Sequence, residues 1–592
     1  MSGKQLKGCE YLITETPLDQ LFTPEDFSDE HKQIAETTEQ FVTNEILPRV
    51  EELEALNYDL SLELMQKSAD LGLMMIDCPE EFGGLELDKA TSMLVAEKLG
   101  SVSSFSTTAL AHSGIGTLPL VYYGTVEQKE RYLEKLMTCE MVGAYCLTEP
   151  DSGSDALGAK TTAILSDDGK HYILNGTKQF ITNAAFANLF TVFAKVDKQH
   201  FTGFLVERDY EGVSIGAEEK KLGIKGSSTC AVVLDNVKVP VGNLLGEIGK
   251  GHKIAFNVLN VGRFKLGAAS TGAAKHAFQV AAEYANTRKQ FGATIGSFGA
   301  IKEKLADMTA DIFASESVVY RLAGLLDERL ESLDKGGDNY YTEYQKGIEE
   351  YAGECAIAKV FCSDVLAFVV DEVLQIHGGY GYVCEYPVER FYRDERINRI
   401  FEGTNEINRI LIPGIMLGRG MKGVLPLQDA VKQAFASLKS GSTESAAVEG
   451  PFVEEKQLLQ QLKSLALIII GTAVEKYKEK LQHEQEFLST AADMAIQIFA
   501  MESAVLRAEK AFVQASPAKK DLYRAVAQVC AYRAAETALD AARKGVFYIA
   551  EGSALKMLMG ALNKFSGFNA TGLLHSNRTL AAAASEAEKY IF

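Results

Sequence analysis

The sequence predicts a mostly α-helical protein with a β domain inserted between helical regions, and three observations carry that prediction. Apolar residues recur at three- and four-residue steps on both flanks. In 303–330, Leu305, Met308, Ile312, Val319, Leu322, Leu326 and Leu330 form one stripe of a long bundle helix. After Pro150 the texture changes to short β-branched and aromatic runs separated by turn residues. Beyond residue 455 a further helical block begins that echoes the one before it.

In chain order, 29–146 reads as an N-terminal helical domain. DEHKQIAETTEQFVTNEILPRVEELE is periodic and EQKERYLEKLM is amphipathic. Residues 147–251 read as the β domain. HYILNG, NLFTVFAKV, TGFLVERD, GVSIG and CAVVLDNVKVP are strand-like, and DDGK, DKQH, DYEG and GIKGSS between them are turn chemistry. Residues 252–418 form a helical bundle, 419–455 a linker containing GRGMKG and KSGSTESAAVEGPFVEE, and 456–592 a C-terminal helical domain. In that last domain IFAMESAVLR (498–507) matches IFASESVVYR (312–321) at seven of ten positions, and AVAQV (525–529) answers AIAKV (356–360). The echo reads as a degenerate copy of the bundle without a counterpart of EGTNE, hence structural.

At 592 residues the chain is too long for one core, and 47% hydrophobic with 24% charged residues is an ordinary globular composition. A net charge of −20 argues against nucleic-acid binding by phosphate neutralisation and disfavours docking on anionic lipid. Membrane association is therefore weakly supported. Nine cysteines without a CxxC pair read as buried thiols of a reducing compartment, with no metal-ligand spacing. MSGKQLKGCEYLITETPLDQLF carries no targeting pattern, and the run LALIII (465–470) is too short to span a bilayer. The expectation is a cytoplasmic protein.

No P-loop, HExxH or strand-linked GxGxxG is present. YCLTEPDSGSD (145–155), KQFITN (178–183), NTRKQFG (286–292) and QIHGGYGY (375–382) stand out instead, with small residues, hydroxyls, a basic pair and a glycine pair suited to close ligand approach. Phe180 and Thr182 share one strand face. In RIFEGTNEINRI (399–410), Glu402 sits at the mouth of a helix, where an acid or base is well placed. Singly, each stretch has an ordinary structural reading as a turn, a cap or a dipole partner.

Together, in this order, with IKGSST and NVGRF, they resemble the acyl-CoA dehydrogenase family over about 29–418, and the tail is similar to that of its very-long-chain type. The resemblance implies an FAD enzyme that converts fatty acyl-CoA to trans-2-enoyl-CoA and passes electrons to an electron-transferring flavoprotein, usually as a homodimer. It implies that Glu402 is the catalytic base. Tyr145, Leu147, Thr148, Gly153 and Ser154 would line the flavin, Ser154 also bordering substrate, with Phe180 and Thr182 against the isoalloxazine. Arg288 and Phe291, with Gln375 and Gly379 usually from a neighbouring subunit, would hold the pyrophosphate and adenosine. Thr404 and Glu406 complete the cofactor site. Asn260, Arg263 and Gly403 border the acyl-CoA. The alternatives are an acyl-CoA oxidase, which uses the same base and flavin, and a non-catalytic assembly-factor relative of the same fold, against which the retained Glu402 and cofactor stretches speak.

The chemistry agrees with that assignment. The α-proton of a thioester is a very weak acid, so its base gains from desolvation, which raises a glutamate's pKa, and from hydrogen bonds to the developing enolate. The chain departs from the family at Phe180, where Trp is usual, and at Ala184-Ala185, where a glycine pair is usual. Thr107 and Ala111 stand where medium-chain relatives close the pocket with bulky polar residues, which predicts a deep channel for long acyl tails.

Overall fold

The computed structural model describes residues 5–337, 340–440 and 450–592. Helix α1 (Asp29–Phe41) opens on a reciprocal cap: the Ser28 hydroxyl accepts from the His31 N–H, and His31 Nδ1 accepts from the Ser28 N–H. The periodic run to residue 54 is not one helix. Pro48 has no N–H, and the chain passes through a wide turn (Val42–Ile46) and a tight one (Leu47–Arg49) before α2 (Val50–Glu54). Helices α3 (Tyr58–Asp70), α4 (Lys89–Leu99), α5 (Ser103–Leu110), α6 (Leu118–Tyr123) and α7 (Val126–Met137) complete the domain. EQKERYLEKLM forms α7, boxed at its start by Thr125 and Gln128.

The β domain begins slightly earlier than its sequence boundary, at β1 (Gly143–Cys146). β2 (Thr162–Leu165), β3 (His171–Thr182), β4 (Leu189–Val196), β5 (His200–Glu207), β6 (Val213–Ile215), β7 (Thr229–Pro240) and β8 (Leu244–Leu245) follow. Their order in the sheet is β6-β7-β3-β2-β4-β5-β8, with β1 running parallel beside β4. The five strand-like runs all fall on strands. The sheet packs its apolar face on α1, α3 and α5 through Phe41, Leu64, Phe105, Phe190 and Phe204.

The bundle consists of α8 (Gly251–Thr287), a hairpin of β9 (Lys289–Gln290) and β10 (Ala293–Thr294), α9 (Gly299–Glu331), α10 (Tyr340–Glu350), α11 (Ala352–His377), α12 (Val388–Glu395) and α13 (Asn405–Met421). Helix α4 lies so close to α8 that a Cβ at Gly272 would overlap the Glu97 carbonyl. The expected linker holds a helix of its own, α14 (Leu427–Ser440), whose amphipathic pattern packs on α15. Residues 441–449 of the linker lie outside the described residues.

The C-terminal block is α15 (Val453–Tyr477), α16 (Gln485–Gln514), α17 (Pro517–Ile549), α18 (Gly552–Phe565) and α19 (Leu573–Ala587). The segment Val453–His483 is long and apolar enough to cross a membrane by composition, correcting the reading of LALIII as an isolated short run. Most of its apolar window is buried inside the protein. The sequence echo becomes a local two-fold. Arg321 of α9 pairs with Glu502 of α16 at 2.7 Å, and Arg507 of α16 pairs with Glu316 of α9 at 2.6 Å. The Arg321 guanidinium lies 4.3 Å from the Phe499 ring centre, and that of Arg507 lies 4.2 Å from Phe313. Such exchange of equivalent contacts is the mark of an isologous interface, here formed within one chain.

Residues 5–27, to which the sequence assigns no element, strap the two bundles together. The Cys9 N–H donates to Glu354 of α11 at 2.6 Å, Tyr11 Oη donates to the Ala495 carbonyl at 3.1 Å, and Lys463 Nζ donates to the Thr14 carbonyl at 3.1 Å. Of the nine cysteines, eight are buried as expected, but Cys384 is exposed on the loop before α12.

Candidate active site

Glu402 lies on the loop between α12 and α13, and that loop is held from three sides. Glu402 and Gly403 both adopt left-handed backbone, φ 56° and 80°. Arg263 of α8 donates from Nε to the Glu402 carbonyl at 3.2 Å, its Nη1 being fixed on Asn260 Oδ1 at 2.9 Å. Lys359 of α11 donates to the Gly403 carbonyl at 2.9 Å and to Asn405 Oδ1 at 2.6 Å. The Asn408 amide donates to the Gly403 and Thr404 carbonyls at 2.8 and 3.1 Å. Thr404 caps α13 by accepting from the Ile407 N–H at 3.2 Å.

The Glu402 side chain then turns against α8. A Cβ at position 262 would stand 2.6 Å from its Oε2, so any larger residue there would push the carboxyl out of this position. That oxygen is buried without a hydrogen-bond partner among the described residues. Desolvation raises the carboxyl from its ordinary value to about 7, against the opposing pull of Arg263 and Lys359. A carboxyl so poised is a proton acceptor near neutral pH.

It faces an elongated cavity. One wall is α8, from Gly262 through Lys265, Leu266, Ala269 and Ser270 to Ala273; the other is α5 and the turn after it, from Ser103 to Ile115. Thr107 and Ala111 lie on this second wall, as the sequence comparison expects. Thr182, at the end of β3, borders the same cavity as Glu402, so the strand and the base meet there.

Next to this meeting point the end of β3 and the segment after β1 present exposed residues. β3 slips register between Lys178 and Ile181, leaving Phe180 at φ 59° with its ring 61% exposed while Ile181 beside it is buried. The slip shows that simple strand alternation does not by itself place Phe180. Leu147 and Thr148 follow β1, and the Thr148 carbonyl accepts from the Gln179 N–H at 2.9 Å, tying this loop to β3. Gly153 and Ser154 are exposed, with free space where a Gly153 Cβ would stand. Tyr145 is buried, its hydroxyl donating to the Ala255 carbonyl at 3.3 Å. Glu406 is exposed on the first turn of α13, its carboxyl held below the usual range by its own backbone N–H and the Thr404 hydroxyl. An exposed phenyl, hydroxyls, free backbone and a helix N-terminus fit a flat ring system bearing a polar tail.

Arg288, Phe291, Gln375 and Gly379 form a separate group. Arg288 follows the last turn of α8, 25 residues and about 37 Å along the helix from Arg263. Its guanidinium lies 5.2 Å from the ring centre of Tyr380, which follows the glycine pair 378–379. Phe291, at the hairpin tip between β9 and β10, is 96% exposed.

Sequence reasoning missed three parts of this site. Lys359 is a lone cation in the apolar run AIAKVF, which was its signal. Asn408 lies inside RIFEGTNEINRI and Gly262 inside NVGRF, but neither motif shows the role: Asn408 binds carbonyls four and five residues back, and Gly262 makes room for Glu402 from a distant helix.

Four family models match the chain. They are acyl-CoA dehydrogenase N-terminal domain (residues 28–140), middle domain (144–237) and C-terminal domain (249–416), and a further model of the last description at 461–564. A probable acyl-CoA dehydrogenase of Bacillus subtilis is 46% identical over 585 residues, 99% of this chain and 98% of that protein. The structure of an acyl-CoA dehydrogenase complexed with FAD from Bacillus anthracis is 47% identical with a TM-score of 0.96, covering 99% of this chain and 100% of that one. The very long-chain specific acyl-CoA dehydrogenase of mouse mitochondria is 36% identical over 485 residues, 77% of this chain and 71% of that protein. With every domain matched in order and near full-length relatives at this identity, the chain belongs to the acyl-CoA dehydrogenase family.

Proposed function

We propose that this enzyme is an FAD-dependent dehydrogenase of long-chain fatty acyl-CoA, yielding trans-2-enoyl-CoA and passing electrons to an electron-transferring flavoprotein. The observation that carries the reading is the cavity shared by Glu402 and Thr182. Gly153, Ser154, Phe180 and Thr182 would line the isoalloxazine, with Thr404 and Glu406 beside it. Arg288 lies about 37 Å along α8 from Arg263, too far to serve the same cofactor from one chain, and with Phe291 on the hairpin and Gln375 and Gly379 at the end of α11 it supports a homodimer in which each copy holds the adenosine end of the other's. Bound there, FAD would supply the two-electron acceptor for the β-hydrogen.

The chain's own residues supply the rest. Glu402 removes the α-proton, desolvated enough to hold it at neutral pH. Among the described residues its backbone N–H finds no acceptor, which leaves it free to donate to the thioester oxygen as negative charge develops there. The α8 wall from Gly262 to Ala273 is about 16 Å long by helix rise, the span of roughly a dozen methylene groups.

Purified protein is expected to be yellow and to bleach anaerobically with palmitoyl-CoA. Glu402→Gln keeps the colour and loses turnover by roughly 100- to 10,000-fold. A profile from butyryl- to eicosanoyl-CoA should peak near palmitoyl, and a peak at butyryl refutes the long-chain assignment. Peroxide release in place of reduction of the flavoprotein acceptor would identify an oxidase instead.

A further inference from the structure

The far half of the acyl cavity is more polar than an alkyl tail requires. Ser270 is 2% exposed, lies on the α8 wall, and its hydroxyl has no hydrogen-bond partner among the described residues. Ser103, Ser106 and Thr107 line the opposite wall, and no described hydrogen bond engages their hydroxyls. The charged groups on the wall are committed elsewhere: Lys265 Nζ sits 2.6 Å from Asp77, and Asp394 accepts from the Ile224 N–H. A plain methylene chain leaves the Ser270 hydroxyl unpaired, whereas a chain carrying a hydroxyl at that depth can pair with it.

Resting on the long-chain reading above, we propose that this stretch is a subsite for a hydroxyl group carried on the acyl chain, with Ser270 its principal partner. The position follows from the helix. Ser270 lies eight residues beyond Gly262, where Glu402 sits, or about 12 Å along α8. An extended chain covers that in nine or ten carbon–carbon bonds, which places the hydroxyl near the twelfth carbon from the thioester.

The test uses holoenzyme and three thioesters of equal length: stearoyl-CoA, 12-hydroxystearoyl-CoA and 17-hydroxystearoyl-CoA. The kcat/KM for the 12-hydroxy compound should exceed that for the 17-hydroxy isomer by about tenfold. Ser270→Ala should lower the 12-hydroxy to stearoyl ratio by a similar factor, and Ser270→Thr should restore most of it. Titration of Glu402→Gln holoenzyme, which binds substrate without turning it over, should show the same preference as a ratio of Kd values. A ratio that Ser270→Ala leaves unmoved, or equal treatment of the two hydroxy isomers, overturns the subsite alone. Failure to turn over any of the three, with butyryl-CoA active, overturns the subsite and the long-chain reading together.

Discussion

Glu402 is placed by backbone that a glutamate rarely adopts, and the cost of that conformation is met by the groups around it. Two buried cations and an asparagine amide bind the carbonyls of residues 402–404. Lys359 also acts through charge, since it favours the Glu402 carboxylate. Burial in turn holds the Lys359 ammonium down to about 7, against the opposing pull of Glu402. The sign follows directly. Lys359→Met removes the charge that favours the carboxylate, so the pKa of Glu402 rises and the acidic limb of kcat/KM moves to higher pH by about one unit. Lys359→Arg should hold the limb near its original place. A limb that does not move in the methionine variant would reduce Lys359 to a packing residue. Glu402 was legible because its motif is local. Lys359 was not assigned because its partner lies 44 positions away in the chain.

At the level of elements, the pairing of α9 with α16 explains why α9 is buried on more than the one stripe its pattern predicts. Phe313, Ser317 and Arg321 lie outside the stripe and are covered by the second bundle. The pairs are deeply buried, with Arg321 and Glu502 side chains each 2% exposed. Removing one partner strands the other charge. Arg321→Met and Arg507→Met should each destabilise the protein by roughly 3–5 kcal/mol, with similar falls in Tm by calorimetry. A neutral result for one and a large one for the other would show that the two halves are not equivalent. The echo was readable as sequence identity, but its meaning as a reciprocal contact was not. The helix α14 was overlooked because glycines flank it on both sides and dominate the local pattern.

At the scale of the whole molecule, the C-terminal block and the strap 5–27 form one unit with the catalytic bundle. Thr16 donates to Glu502 at 3.1 Å and accepts from Arg321 Nη2 at 2.8 Å, so strap, first bundle and second bundle meet at one point. Deleting 427–592 uncovers Glu316 and Arg321 along with the face of α9 around Phe313. The truncated protein should associate or aggregate in size-exclusion chromatography. A soluble truncated species of the size expected for a dimer would refute the covering role of the block.

The sequence by itself determined the order of helical and β regions, the family, and the carboxylate at the head of α13. These depend on periodicity, turn chemistry and short motifs, all carried by neighbouring residues. Tertiary structure alone decided what surrounds that carboxylate and what lies beyond it: the cations on its loop, the glycine that admits it, the hydroxyls of the far cavity and the two-fold between bundles. Those arise where helices distant in the chain are pressed together, and the energies that select them are set by burial.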